Sequence, residues 1–438
     1  MDAANFAPLP VSIASSNFHE QDPAPLAKQN RRRRTGRKPA AAPGLPIDAA
    51  LSGDPAQVAD AIATVAFLAA QGDKNAIERF VEQVAGAPLA PGIQPAGQRI
   101  IARAFEFGWL PTDIHEAARR RVDEFAVGYL TDLMAEHRAG YPAESVDEIW
   151  QAQLDELRAA VWWTSERSHV EQWADRALLT AAEAITTALS ALALLIQLPK
   201  LEQILPLPGT GARTIPHHHV DEKTLGRVRG LLAKAESTPF AEEAETLSAK
   251  AQELMTKYAI DRALLDARRT DPELPAARRI WLETPYTDAK ALLIDMVIRA
   301  NRARAIFVAD WGFVTVVGDE TDLDAVEILA TSLLVQATRA MIDNATTEES
   351  RSRHYRKAFL TAYASRIGEL LTTAAEATIA DSPDPTHLLP ALASHQQRVD
   401  RAFDTYFPTV RSRGITIRSA EGWTAGTEAA DRAHFDNP

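Results

Sequence analysis

The chain has 438 residues, a formal net charge of -12 and a hydrophobic fraction of 46%. That length exceeds one ordinary core and predicts two or three domains, while the acidic balance excludes a surface that is basic throughout, so polyanion binding must come from local patches. Cysteine is absent, which excludes disulfides, thiolate catalysis and Cys-ligated zinc and fits a reducing, cytoplasmic setting.

Met1 to Glu20 lacks a basic start followed by an apolar core, so no secretory signal is expected. Residues 1–46 carry no periodic apolar stripe and read as a disordered arm. The arm holds Lys28, Arg31, Arg32, Arg33, Arg34, Arg37 and Lys38, with no acid between Pro23 and Ile47. An extended basic arm can lie in a DNA minor groove, where arginine is drawn to the narrow negative channel. Gly36-Arg37-Lys38-Pro39 resembles an AT-hook whose Gly-Arg-Pro core is interrupted by Lys38. A solubilising tail, or one that binds polyanions without sequence preference, fits the same residues.

Residues 47–205 read as an all-helical domain. Helices are expected over Ala56–Leu68, Asn75–Val84, Ala96–Phe107 and Thr112–Glu136, with a further group over Ser145–Leu198. Trp150, Trp162, Trp163 and Trp173 in that group read as core or groove-filling anchors. Ala184 to Leu198 is apolar but shorter than the roughly 20 residues of a bilayer span, so a buried core helix is expected and no membrane partner. Ala104, Gly108 and Ile114 match the spacing of a helix-turn-helix, in which glycine permits the positive φ of the turn. Its second helix would offer Arg119 and Arg120 to phosphates or base edges. An ordinary helical corner explains the same three positions.

Pro206 to Val220 breaks every helix signal and marks a linker, set at residues 206–221. A helical hairpin follows over residues 222–262. Leu225, Val228, Leu232 and Ala235 form one apolar stripe; Ala244, Leu247, Ala251, Leu254 and Tyr258 form another. Neither stripe is stable alone in water, and the short break at Ser237-Thr238-Pro239 makes them meet antiparallel. Thr238 is placed to cap the second helix, with Pro239 at its first position. Glu242, Glu243 and Glu245 sit near that helix's positive end and Lys257 near its negative end. The polar residues fit a solvated, dipole-matched surface; a basic face of Lys223, Arg227 and Lys234 that meets phosphate is the sharper reading.

The runs Leu231 to Thr238, Glu243-Ala244-Glu245 and Lys250 to Met255 resemble the domain-of-unknown-function family 2786. The resemblance covers about 40 residues. It implies an actinobacterial, phage or plasmid-type setting and a C-terminal α+β segment, which Tyr355 to Arg366 and Gly422-Trp423 resemble. It implies no activity and no catalytic residues.

Asp271 to Ala277 reads as a second linker, and residues 276–438 as an α+β domain with a small antiparallel sheet packed by helices. Arg279–Leu282 is a strand, Asp288–Ala303 a helix, and Ala305–Ala309 with Phe313–Val317 a β-hairpin. Thr321 and Asp324 make a capping-box-like start for a helix reaching Ile342. Further helices are expected over Ser350–Ala380, Leu388–Phe407 and Thr424–Phe435. Arg351, Arg353, Arg356 and Lys357 crowd one helix start, where cations oppose the helix dipole. An anionic partner or salt bridges to Glu348 and Glu349 would relieve them.

No catalytic motif is recognisable. His115-Glu116-Ala117-Ala118-Arg119 lacks the second histidine that a helical zinc site needs one turn later. His217, His218 and His219 lie in a linker without supporting residues, and Leu207 to Thr214 lacks the Gly-Lys-Ser/Thr ending of a phosphate loop. The reading is therefore a mainly α, multi-part protein without cofactor or metal. Its expected partner is DNA or another polyanion, bound through Arg31, Arg32, Arg33, Arg34, Arg37, Lys38, Arg119, Arg120, Arg353, Arg356 and Lys357. A helical scaffold that binds protein partners is the alternative.

Overall fold

A computed structural model describes residues 12–16, 44–211, 219–266, 275–382 and 385–432. The cations Arg31, Arg32, Arg33, Arg34, Arg37 and Lys38 lie outside the described residues, as do His217 and His218. The chain divides into two units, Phe18–Thr214 and Met1–Asn17 together with Ile215–Pro438. Sixteen helices and five strands are found among the described residues, so the protein is mainly α.

The first unit contains α1 (Ile47–Leu51), α2 (Pro55–Ala70), α3 (Ala76–Gln83), α4 (Ala90–Glu106), α5 (Pro111–Arg119), α6 (Glu124–Ala139), α7 (Glu148–Glu156), α8 (His169–Ala177) and α9 (Ala181–Gln197). Local chemistry sets several starts. Asp54 accepts from the Ala56 amide ahead of α2, with Pro55 at the first position, and Ser168/Glu171 and Thr180/Glu183 form capping boxes on α8 and α9. The single helix expected over Thr112–Glu136 is two. Asp123 caps α6 by accepting from the Ala126 amide at 2.8 Å, which favours a fresh start over continuation. α9 is a core helix that buries Ala188, Leu189, Leu192 and Leu195. Trp150 and Trp173 are buried as anchors, and Trp109 joins them with its Nε1 donating to the Pro199 carbonyl at 2.8 Å. Trp162 and Trp163 are only half-buried. Trp162 donates to one oxygen of Asp132 at 2.9 Å, and His169 meets the other at 2.8 Å.

In the second unit, α10 (His219–Ser237) and α11 (Ala241–Asp266) form the expected hairpin, longer at both ends. β2 (Ala276–Trp281), α12 (Thr287–Ala300), β3 (Arg304–Val308), β4 (Phe313–Gly318), α13 (Glu320–Asp343), α14 (Arg353–Ala380), α15 (Pro385–Tyr406), β5 (Arg411–Gly414) and α16 (Ala420–Asp431) follow. β2, β4 and β3 form the expected antiparallel core of the sheet, turned at Gly312, whose φ is +80°. The sheet has two more strands. β1 (Ser12–Ser16), inside the segment expected to be disordered, pairs parallel with β3 and antiparallel with β5, giving the order β2-β4-β3-β1-β5. Pairing of this kind rests on backbone hydrogen bonds, so a five-residue strand needs no apolar stripe to join it.

The hairpin shares its core with these elements. Val228, Leu232, Ala251 and Met255 pack in one cluster with residues of α12, α13, α14, β3 and β4. Of the second expected stripe, Leu247, Leu254 and Tyr258 are half-buried, whereas Ser248, Gln252 and Thr256 are buried. Those polar groups are satisfied across the core, as burial demands. Gln252 and Asn301 exchange amide hydrogen bonds of 3.0 and 3.1 Å, and Gln336 donates to Ser248 Oγ at 3.1 Å. Asp324, expected in a capping box, instead accepts from Arg278 of β2 at 2.5 Å, beside Glu327 at 3.1 Å. The window Asp322–Asp343 is long and apolar enough to cross a membrane. It belongs to α13, whose Leu323, Val326, Leu329 and Leu333 are buried in the same core.

Candidate functional site

Of the basic residues singled out in the sequence, those described fall in both units, and Arg119, Arg120 and Lys357 are paired with acids. Arg119 and Arg120 sit at the last turn of α5 and share one carboxylate. Arg119 donates to Glu116 at 2.8 Å, and Arg120 binds both that carboxylate and the Glu116 carbonyl. Half-burial opposes ionisation of Glu116, but hydrogen bonds from His115, Arg119 and Arg120 outweigh it and hold the carboxyl well below the ordinary range. The three helix-turn-helix positions are all accounted for by packing. Ala104 and Ile114 are buried, and Gly108 takes φ +82° where a Cβ would lie 2.7 Å from the Leu201 carbonyl.

Arg353, Arg356 and Lys357 lie on the first turns of α14, with Arg353 exposed and the other two half-buried. Lys357 pairs with Asp288 at the start of α12, at 2.5 Å. Its partner is thus supplied by a neighbouring helix and not by Glu348 or Glu349. The hydrophobic side of α14 explains the segment Tyr355 to Arg366 more fully. A Cβ on Gly422 or Gly426 of α16 would lie 2.5 Å from the Tyr355 carbonyl or 2.2 Å from the Phe359 carbonyl, so α16 rests directly on the α14 backbone. Arg366 ties the far end to α16 through Asp431 and is itself held by Glu369 of its own helix at 2.7 Å.

Two concave features flank the hairpin. At its turn, a cavity of about 230 Å³ lies between the 235–244 segment, α13, α14 and α16, with Thr238, Gln336, Arg339 and Asn344 among its polar lining groups. Arg339 is fixed by donating to the Thr238 carbonyl at 3.0 Å. The Thr238 hydroxyl accepts from the Phe240 amide at 3.3 Å and donates to Glu243 at 2.7 Å, while Lys234 meets the other Glu243 oxygen at 2.8 Å. α11 begins at Ala241, three positions after Thr238, so Thr238 orders the turn and does not cap the helix, and Pro239 is not its first residue; those contacts hold the Glu243 carboxyl below its ordinary value.

At the hairpin's other end, Arg262 of α11, Arg302 of the α12–β3 turn, Asp319 and Asp322 at the start of α13, and His395 of α15 surround a space of about 10 Å³. That is room for about one water and for no larger ligand. Arg262 binds Asp319 at 3.1 Å, and His395 Nε2 lies 3.7 Å from the other Asp319 oxygen. Burial and then the Asp319 charge push Asp322 up to about 7. Arg302 adopts φ +57°, a costly conformation for a side chain of its size, where it faces this cluster. The arrangement joins four segments electrostatically. Sequence inspection does not find it, because its members are spread over more than 130 positions and none forms a motif. Among the described residues, no group of three or more His, Asp or Glu side chains is placed to hold a metal ion.

Residues 223–262, the hairpin itself, match the family model described as "Protein of unknown function (DUF2786)". The match covers the turn that lines the larger cavity and reaches Arg262 of the charged cluster. No curated protein and no solved structure matches the chain.

Proposed function

We propose that this is an accessory protein that associates with nucleic acid or another polyanion through its basic arm. The observation that carries the reading is charge segregation. Six cations stand between Arg31 and Lys38, with no acid from Pro23 to Ile47, in a chain of net charge -12. Phosphate contacts of this kind give affinity without sequence preference. Internal pairing of Arg119, Arg120 and Lys357 leaves those residues a smaller part in it. The full chain with Arg31, Arg32, Arg33, Arg34, Arg37 and Lys38 changed to Ser is expected to bind duplex DNA far more weakly. Its log–log salt slope should fall by up to about five, at roughly 0.9 for each phosphate no longer neutralised. A wild-type protein that fails to bind at low salt, or a variant that binds equally well, removes the proposal.

A protein-interaction scaffold is the second reading, favoured by apolar exposure around the hairpin turn. Phe240 is 68% exposed beside it, and Val335 and Ile342 of α13 are 47% and 58% exposed. Of these, Val335 lines the cavity at the turn, and exposed apolar side chains that form a patch mark an interaction surface. Affinity capture from the native host with wild-type protein and with Phe240→Asp tests it. A partner lost in the variant supports the scaffold, and an identical set in both counts against it.

A further inference from the structure

A groove in the Phe18–Thr214 unit has no part in the readings above. It lies between α2, α4 and α9 and encloses about 370 Å³. Phe67, Ile100, Phe107 and Leu195 supply its apolar wall, and Gln71, Arg99 and Arg103 its polar groups. Residues 100, 103, 104 and 107 recur at helical spacing, so the last turns of α4 and the residue that follows turn one face to the groove. A volume of this size falls in the range of small-molecule sites, whereas an engineered cavity of about 150 Å³ holds only a benzene-sized guest.

Three observations specify the guest. Phe67, in the wall, is left 51% exposed, and an apolar chain laid against it would remove that surface from water. No Asp or Glu lines the groove, although acids outnumber Lys and Arg in the chain by 59 to 47. Arg99 and Arg103 stand one turn apart on α4, where like charges repel unless an anion lies between them. Among the described residues, Arg99 pairs only with Asp60, at 2.8 Å and exposed, a contact that exchanges at little cost. Arg103 lies 4.8 Å over the Phe107 ring, and no ion pair with a carboxylate is found for it among the described residues. A guanidinium resting over a ring face spends no N–H group on it, so those donors are left for a planar anion.

We infer that this groove binds a single-chain alkyl carboxylate, with the chain along Phe67, Ile100 and Leu195 and the head between Arg99 and Arg103. This inference does not rest on the reading of the basic arm, and either can fail without the other.

Calorimetric titration of the full chain with decanoate, decanol and decylamine tests the assignment. Decanoate is expected to bind in a one-to-one ratio, decanol more weakly, and decylamine not measurably. Arg99→Gln and Arg103→Gln should each weaken decanoate about fivefold, the scale of one exposed ion pair, and should leave decanol binding and the melting temperature unchanged. Phe67→Ser should weaken decanoate and decanol alike. Equal binding of decanoate and decylamine, or full decanoate affinity in both arginine variants, would overturn the inference. A groove filled by a second copy would appear in sedimentation as a dimer that Phe67→Ser dissociates, and that outcome would overturn it too.

Discussion

Glycine has two opposite uses here, and each predicts a different response to the same substitution. Gly422 and Gly426, four apart on α16, let that helix rest on the carbonyls of Tyr355 and Phe359, only 2.5 and 2.2 Å from where a Cβ would stand. The obstructing atoms are backbone and cannot swing aside, so Gly426→Ala should cost about 1–3 kcal/mol, the range for overpacking a tight contact. Gly226 and Gly230 of α10 have nothing within 4 Å of the position a methyl would take, and no positive φ. There Ala restricts the unfolded chain at no steric cost, and Gly230→Ala should gain about 0.4–1 kcal/mol. Urea denaturation of both variants checks the pair. A Gly426→Ala protein as stable as wild type would mean that α16 does not touch α14 as described. Hairpin positions such as Val228 and Leu232 are readable in the sequence because burial repeats with the helical period. The buried Ser248, Gln252 and Thr256 are not. Polarity alone does not announce that Asn301, 49 residues away, satisfies Gln252.

The charged cluster shows what fastens one helix to another in the C-terminal unit. α11, the α12–β3 turn, α13 and α15 each bring at least one titratable or cationic group to it: Arg262, Arg302, Asp319 with Asp322, and His395. Asp322 is raised from 3.8 to about 7, chiefly by burial and then by Asp319, against the lowering influence of His395, Arg262 and Arg302. The sign follows from proton counting. Between about pH 4 and 7 the folded state holds a proton that the unfolded state has released, so this group makes stability fall as pH rises through that window and level off above it. Asp322→Asn fixes the neutral form. It should match wild type near pH 4 and exceed it at pH 8 by on the order of 1 kcal/mol, after discounting for partial solvent access. Thermal melts at closely spaced pH values measure the difference, and a gap that stays constant from pH 4 to 8 would exclude titration of Asp322 as its source. Helices α11, α13 and α15 are legible from periodicity and caps, but their meeting at one point depends on packing between elements distant in sequence.

β1 links the two ends of the chain, and it changes how the basic arm can be probed. Ser12–Ser16 lies between β3 and β5, so residues at the extreme N-terminus complete a sheet otherwise built from positions 276–414. The strand is hidden in the sequence because it is only five residues long, serine-rich and separated from β3 by the whole of the other unit as well as the hairpin, β2 and α12. Deleting residues 1–46 would therefore remove the arm and a central strand together, and weakened binding could not be assigned to charge; substitution within Arg31 to Lys38 avoids this. A deletion of residues 1–17 isolates the strand. β5 has β1 as its sheet partner and should lose its protection from hydrogen exchange; β3 keeps β4 and should lose only the bonds that faced β1. β2 and β4, paired with each other, should change little, and α2 and α9 of the other unit not at all. Exchange followed by mass spectrometry resolves these segments. If Arg411–Gly414 remains as protected in the truncated chain as in the intact one, the order β3-β1-β5 is wrong. If α2 and α9 lose protection together with β5, the two units do not unfold independently, and the N-terminal strand supports more of the protein than its own sheet.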